Sequence, residues 1–437
     1  MAPEYLAFIM LGLIITSIII GIPVAFCLAS IPLIFGYFVL GTRTFPMLAM
    51  QGWGTNVTYP FVAAPLFIFM GSLMERSGIA EQLFESFYHL LGRVSGGLAL
   101  ATVAMATIFG ACTGNVGAGV ITIGLLALPP MLNRGYDKAL ATGSIMVGGG
   151  LGVTIPPSIM LILYGAATGV SISKLFMAAI IPGVLLGIMY IAYIYGRARL
   201  NPEMAPSVSI ENRIQGMALF KMTLKSLVPP IFLILAVLGS IFFGIVSPSE
   251  AGSMGVIGSL ILIAISKKLN LQVFTQSVTY TLKITSAIVL ICLGGKIFTG
   301  IFIAMGGDVG LRNFMEMFNL GTTGMMLMML FIVFILGMVM DWIALIFILT
   351  PIFGPIISAI GMDPLYFGIL FCTTLEISNM TPPFAYSVFY LKTITPPEVT
   401  IGDMYRGCVP FAIVDVLCTA LLILFPGLVM WLPSIMK

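Results

Sequence analysis

Residues 97–132 read GLALATVAMATIFGACTGNVGAGVITIGLLALPPML. Two apolar runs of similar length flank the cluster GACTGNVGAG at 110–119, which holds four glycines and the only polar group of residues in the stretch. A continuous helix through 110–119 is improbable on local grounds, because glycine weakens helices and Asn caps them. Each flanking run is too short to be a comfortable crossing of a ~30 Å hydrocarbon core. The stretch therefore reads as two half-length helices that meet at a tip and return to the side they came from.

The rest of the chain shares this solvent. Of 437 residues, 59% are hydrophobic and 8% charged, where a soluble domain carries about 25% charged residues. This excludes an ordinary soluble enzyme, a disordered chain and a nucleic-acid binder. The single histidine, His89, and six scattered cysteines give no metal or disulfide framework. An all-α polytopic membrane protein remains. Apolar runs lie at 5–22, 23–40, 57–75, 97–113, 116–132, 139–165, 175–196, 226–246, 250–266, 284–305, 323–340, 343–360, 365–391 and 409–433. The first starts at Tyr5 without a basic leader, so it is expected to stay as a span. Basic residues gather at 197–225 and 267–283, two crossings apart, which makes that side cytoplasmic. Residues 78–92 set Ile79, Leu83, Phe87 and Leu90 on one helical face and Glu81, Glu85 and His89 on another, as an interfacial helix would.

The second half echoes the first. Pro156–Pro157 with Tyr164 matches Pro382–Pro383 with Tyr390, Pro182 matches Pro410, Pro129 matches Pro351, and Gly78 matches Gly310. The offsets, 222 to 232, indicate a duplication, and transporters with such repeats place their sites where the halves meet.

Three further breaks join the first: GGGLGVTIPP at 148–157, GMVMDW at 337–342 and SNMTPP at 378–383. Freed backbone carbonyls beside Thr, Ser and Asn suit Na⁺, a hard cation wanting several oxygens, and half-helix N-termini suit an anion. The expectation is two quasi-equivalent cation sites. One comprises Thr113, Gly114 and Asn115 with Gly149, Gly150, Gly152 and Pro156. The other comprises Met340 and Asp341 with Ser378, Asn379, Met380 and Thr381. Substrate would contact Thr113, Asn115, Thr154, Asn379 and Thr381. Among the intramembrane charges Lys296, Asp341, Glu376 and Asp415, Glu376 and Asp341 rank first because they adjoin the second pair of breaks, and Glu376 is a candidate coupling carboxylate. The alternative reading of the glycine clusters is close helix packing, as in Gly110–Gly114.

At these motifs the chain resembles the large membrane subunit of tripartite ATP-independent periplasmic (TRAP) transporters. The resemblance is carried by FGACTGNVGAGVITIGLLALPPMLNRGYDKALATGS (109–144), GVTIPPSIMLILYG (152–165), VSPSEAGSMG (246–255), MDWIALIFILTPIFGPI (340–356) and NMTPPFAYSVFYLKTITPPEV (379–399). It implies an inverted-repeat, elevator-type transporter with two re-entrant helical hairpins and two unwound transmembrane helices. It also implies Na⁺ coupling, a small four-helix membrane subunit, a periplasmic substrate-binding protein, a small carboxylate substrate and a bacterial or archaeal inner membrane. The hairpin tips would fall at Cys112–Asn115 and Gly337–Trp342. The parts would be scaffold helices and an interfacial helix (1–95), a first transport half (96–196), a cytoplasmic loop with further scaffold (197–320), and a second transport half (321–437). A self-sufficient Na⁺/carboxylate carrier or antiporter without a binding protein is the alternative.

Overall fold

The computed structural model describes residues 3–57, 59–207, 216–316 and 320–436. Glu211 and Arg213 of the basic loop lie outside them. The described residues form helices and turns. In chain order these are α1 (Pro3–Ile19), α2 (Val24–Leu40), α3 (Thr44–Asn56), α4 (Ala63–Arg76), α5 (Ile79–Leu91), α6 (Gly97–Thr113), α7 (Val116–Leu132), α8 (Lys138–Thr154), α9 (Ile159–Thr168) and α10 (Ile172–Leu200). The second half continues with α11 (Gly216–Phe242), α12 (Pro248–Ile265), α13 (Leu271–Ala304), α14 (Gly307–Glu316), α15 (Thr322–Gly337), α16 (Trp342–Ala359), α17 (Pro364–Met380), α18 (Tyr386–Lys392), α19 (Ile401–Leu424) and α20 (Gly427–Ile435). Among the described residues, eight helical stretches are long and apolar enough to cross a membrane.

The centre and the rim differ as a membrane protein's should. Every residue from Leu140 to Gly165 is buried, as is every residue from Phe367 to Met380. These helices are apolar on all sides, the signature of a buried span. At the rim, Phe38, Trp53, Phe232 and Ile245 stand mostly exposed. Large aromatic and aliphatic groups on so much of the outer surface fit contact with lipid rather than water.

The duplication is visible in the elements. Helices α7 and α16 begin 226 positions apart, at Val116 and Trp342. Helices α8 and α17 start at Lys138 and Pro364 and end at Thr154 and Met380, again 226 apart at both ends. Their N-caps, Asp137 and Asp363, share that offset and that role, each side chain accepting from the first turn. Packing follows the same exchange. Helix α8 lies against α6 and α7, and α17 against α15 and α16. Crosswise, α9 packs on α16 while α18 packs on α7, and α8 meets α19 while α17 meets α10.

Both ends of the α6–α7 pair lie together. Gly96 donates to the Ala205 carbonyl at 2.8 Å, and Asp137 donates to the Met204 carbonyl at 2.8 Å. The segment just before α6 and the one just after α7 therefore meet the same loop, the one that follows the basic C-terminus of α10. Helices α6 and α7 thus form an antiparallel pair whose outer ends share that loop.

Several expectations need correction. The run at 148–157 is not unwound throughout: α8 continues to Thr154, and only Ile155–Ser158 break. The glycines serve contact instead. A Cβ on Gly152 would fall 3.0 Å from the Gly110 Cα, and one on Gly149 would fall 2.7 Å from the Val120 N. Likewise α17 runs through Ser378 and Asn379 to Met380, so its break begins at Thr381. The interfacial helix α5 exists, but its inner face is Ile79, Ala80, Leu83, Phe84 and Ser86, with Leu90 43% exposed. It is wedged between α6 and α11 rather than lying free, and its Ser86 hydroxyl bonds that of Ser226 at 2.7 Å. Helix α3 was not among the expected spans.

Candidate functional site

Proline creates the first element of the site. A helix carbonyl is normally paired with the N–H four residues on, and proline has none. Pro156 and Pro157 thus leave the carbonyls of Gly152 and Val153 without helical donors, and Pro382 and Pro383 do the same for Ser378 and Asn379. Two of these four find other donors: Val153 accepts from the Ser158 hydroxyl, and Ser378 accepts from the Thr381 amide at 3.1 Å. The carbonyls of Gly152 and Asn379 remain as oxygens at the ends of α8 and α17 that no helical N–H occupies. Those of Gly149 and Gly150 lie within the helical ladder of α8, so neither is an open ligand of the kind the glycine run led us to expect.

The first hairpin tip is tightly built. Thr113 ends α6, Gly114 takes a left-handed conformation (φ 60°), and Asn115 caps α7, its Oδ1 accepting from Ala118 N at 3.3 Å. A Cβ at Gly114 would lie 3.2 Å from the Pro157 carbonyl oxygen, so tip and break touch. The other side of the tip meets α4, where Gly71 lets the Thr113 carbonyl approach to 2.6 Å of a Cβ position. Asn115 Nδ2 donates to the Tyr280 hydroxyl of α13 at 3.0 Å.

The second tip is its counterpart. Asp341 caps α16, 226 positions after Asn115, its Oδ2 accepting from Ile343 N at 3.1 Å. Met340 is buried between the arms. Gly337 sits directly on Ser378, where any Cβ would collide with the serine hydroxyl. Thr381 turns its hydroxyl back to the Ile377 carbonyl at 2.6 Å. Asn379 is 4% exposed, and its Oδ1 accepts no hydrogen bond from a described residue. An amide oxygen buried without a donor is costly.

The structure thus brings the tip at Thr113–Asn115 to the break at Pro156–Pro157 through Gly114, and the second tip to α17 through Gly337 on Ser378. It also joins the broken helices to each other. The Thr154 hydroxyl donates to the Glu376 carboxylate, and Gly150 packs against Glu376 Oε1, which has no other described partner. Thr154 is therefore bound to Glu376, not turned to an open substrate space. Helix α18 touches both tips: Tyr386 donates to the Val339 carbonyl at 3.4 Å, and the Tyr390 ring lies over Gly117. Asp415 takes the Tyr190 hydroxyl, and Lys296 lies over the Phe61 ring. His89 sits on α5, away from both tips, where partial burial lowers its pKa and Glu85 pulls the other way.

Residue reading missed Ser72, Glu75 and Tyr280. With Thr113 and Asn115 they line a space of about 10 Å³, room for one water. Glu75 accepts from the Thr122 hydroxyl at 3.4 Å. Glu75 and Arg76 end an apolar run, so they read as an interface marker, and nothing in the spacing ties Tyr280 to a tip 165 residues away.

The chain is 30% identical to the ectoine TRAP transporter large permease protein TeaC of Halomonas elongata, covering 97% of this chain and 98% of that one. It is 28% identical to the C4-dicarboxylate TRAP transporter large permease protein DctM of Pseudomonas aeruginosa, over 89% of each. It is also 28% identical to the isethionate TRAP transporter permease protein DctMQ of Oleidesulfovibrio alaskensis, over 90% of this chain and 61% of that one. In fold it is similar to the YdaH transporter of Alcanivorax borkumensis, with a TM-score of 0.63 at 15% identity over 89% of both chains. Those relatives are permease proteins, not enzymes. Residues 11–428 match the model of the tripartite ATP-independent periplasmic transporter DctM component, and the chain belongs to that family.

Proposed function

We propose that this chain is the permease subunit of a binding-protein-dependent, Na⁺-coupled importer of small organic acids. The observation that carries this reading is the matched pair of tips, each closed against a proline-broken helix with an unpaired oxygen beside it. Na⁺ would be held at the first site by backbone at Thr113–Asn115 with the Gly152 carbonyl and the Pro156 break. At the second it would be held by Met340, Asp341 and Ser378–Thr381, with the Asn379 oxygens foremost. Substrate would lie between Thr113–Asn115 and Asn379–Thr381. Glu376, which accepts from Thr154 of the other broken helix, would be the coupling carboxylate. The hairpins are read as re-entrant. Segments 96–196 and 321–437 would slide as one body along a scaffold formed by 1–95 and 197–320, completed by a small four-helix membrane subunit. The named relatives carry a dicarboxylate, a zwitterion and a sulfonate, so a charged small molecule with at least one acidic group is the substrate class proposed.

The test is uptake into proteoliposomes holding this chain with its small partner. Labelled C4-dicarboxylate, ectoine and isethionate would be offered with and without the binding protein, and with and without an inward Na⁺ gradient. Uptake of one of them only when both are present is the expected result. Uptake without Na⁺ would remove the cation sites, and uptake without the binding protein would favour a self-sufficient carrier.

A further inference from the structure

Beside the first tip, a cavity of about 350 Å³ opens between the end of α4 and the first turns of α13. It is lined by Arg76, Thr275, Gln276, Thr279, Tyr280 and Lys283. Among predominantly apolar helices such a lining is unusual: two cations, three neutral hydrogen-bonding groups and a tyrosine. Tyr280 is also part of the wall of the small space at Thr113 and Asn115, and its hydroxyl holds the Asn115 amide. One side chain therefore separates the open cavity from the hairpin tip. Arg76 spends one nitrogen on Gln276 Oε1 at 3.1 Å, and its Nε has no described partner. Lys283 is exposed on the same wall. Lys268 adds a third cation near the rim, its end lying over Gly78, two residues past Arg76. The neighbouring acid, Glu75, accepts from the Thr122 hydroxyl and offsets part of the Arg76 charge, so that Arg76, Lys283 and Lys268 leave the wall with a net positive excess. Low-dielectric walls around charges of one sign focus the field and raise the local concentration of the opposite ion.

We propose that Arg76 and Lys283 form the anion-attracting mouth through which a free carboxylate or sulfonate passes between the tip at Thr113–Asn115 and the side bearing the basic loops, with Tyr280 as the residue that parts it from the tip. This rests on the transport reading above. It adds which side chains meet the acid group outside the cation sites.

The experiment reads the field directly and needs no substrate. The six native cysteines are all buried, so T279C supplies one reactive thiol in the cavity. The probes are two membrane-impermeant methanethiosulfonates, one ethylsulfonate and one ethyltrimethylammonium, on the purified chain with its small partner in neutral-lipid nanodiscs. Rates are taken relative to free cysteine. The expected preference for the anionic reagent is about tenfold, the low end of what a focused field gives. K283Q should cut it about threefold, R76Q/K283Q should abolish it, and high salt should flatten it. An equal or reversed preference in the unsubstituted background, or one indifferent to K283Q, overturns the proposal. So does closure of the site to the anionic reagent in phosphatidylglycerol nanodiscs, which would make the cavity a lipid-headgroup seat. Thermal melting of R76Q checks that loss of the Gln276 bond leaves the fold intact, and K283Q, which removes no described bond, stands alone if it does not. A failed uptake assay with the labelling preference intact would count against the transport reading and leave the charged mouth standing.

Discussion

Two residues of the site separate folding from function. Asn379 Oδ1 is buried and accepts no hydrogen bond from a described residue, so truncating it forfeits no described bond to that oxygen. Asn379→Ala is expected to leave thermal stability nearly unchanged while raising the half-saturating Na⁺ concentration of uptake about tenfold, the equivalent of roughly 1.4 kcal/mol. Unchanged Na⁺ dependence would take Asn379 out of the site. Gly114 is the opposite case. Its left-handed backbone and the Pro157 oxygen at 3.2 Å from a Cβ both resist substitution, and the conformation alone costs a non-glycine residue about 1 kcal/mol. Gly114→Ala should lower the melting temperature and slow uptake together. These positions were legible in the sequence because their types are restrictive: glycine and asparagine at a tip, and proline four residues after a carbonyl. Tyr280 and Glu75 were not, because a tyrosine or glutamate on an apolar helix acquires meaning only from what tertiary packing sets against it.

At the scale of the element, the glycine-rich α8 shows why composition alone misplaced the break. Gly148 to Gly152 read equally as an unwound strand of carbonyls or as a contact stripe, and the neighbours decide between them. Gly110 and Val120 come too close to admit side chains, and close backbone approach is what small residues permit between membrane helices. Only Pro156 and Pro157, which cannot donate, end the helix. Within one chain, glycines should therefore differ in sign. Gly152→Ala must push its Cβ against the Gly110 backbone and is expected to cost about 1–3 kcal/mol as overpacking. Gly196, on α10, has open space around it, and Gly196→Ala should be neutral or stabilise by up to about 1 kcal/mol. Melting curves of the two variants, side by side, check this; equal shifts would mean that the contact at Gly110 carries no energy.

For the whole molecule, the near-constant offset in the sequence foretold a duplication, and the packing shows what it builds: each broken helix puts its first half on its own hairpin and its second half on the other. What residue matching could not reach is how this unit meets the remaining helices, since the polar groups that meet there, such as Asn115 and Tyr280, lie far apart in the chain and form no motif. In the structure that surface passes between α4 and the first tip, where Ser72 and Ala118 face one small space. If segments 96–196 and 321–437 slide as a body, this contact must break in every cycle, whereas Thr154 and Glu376 must stay together. Paired cysteines at Ser72→Cys and Ala118→Cys, bridged by a short bifunctional thiol reagent, should stop uptake reversibly, and each single variant should keep transporting after treatment. Continued uptake by the bridged protein would mean that the tip never leaves α4, and transport would then have to proceed by opening of the tip alone.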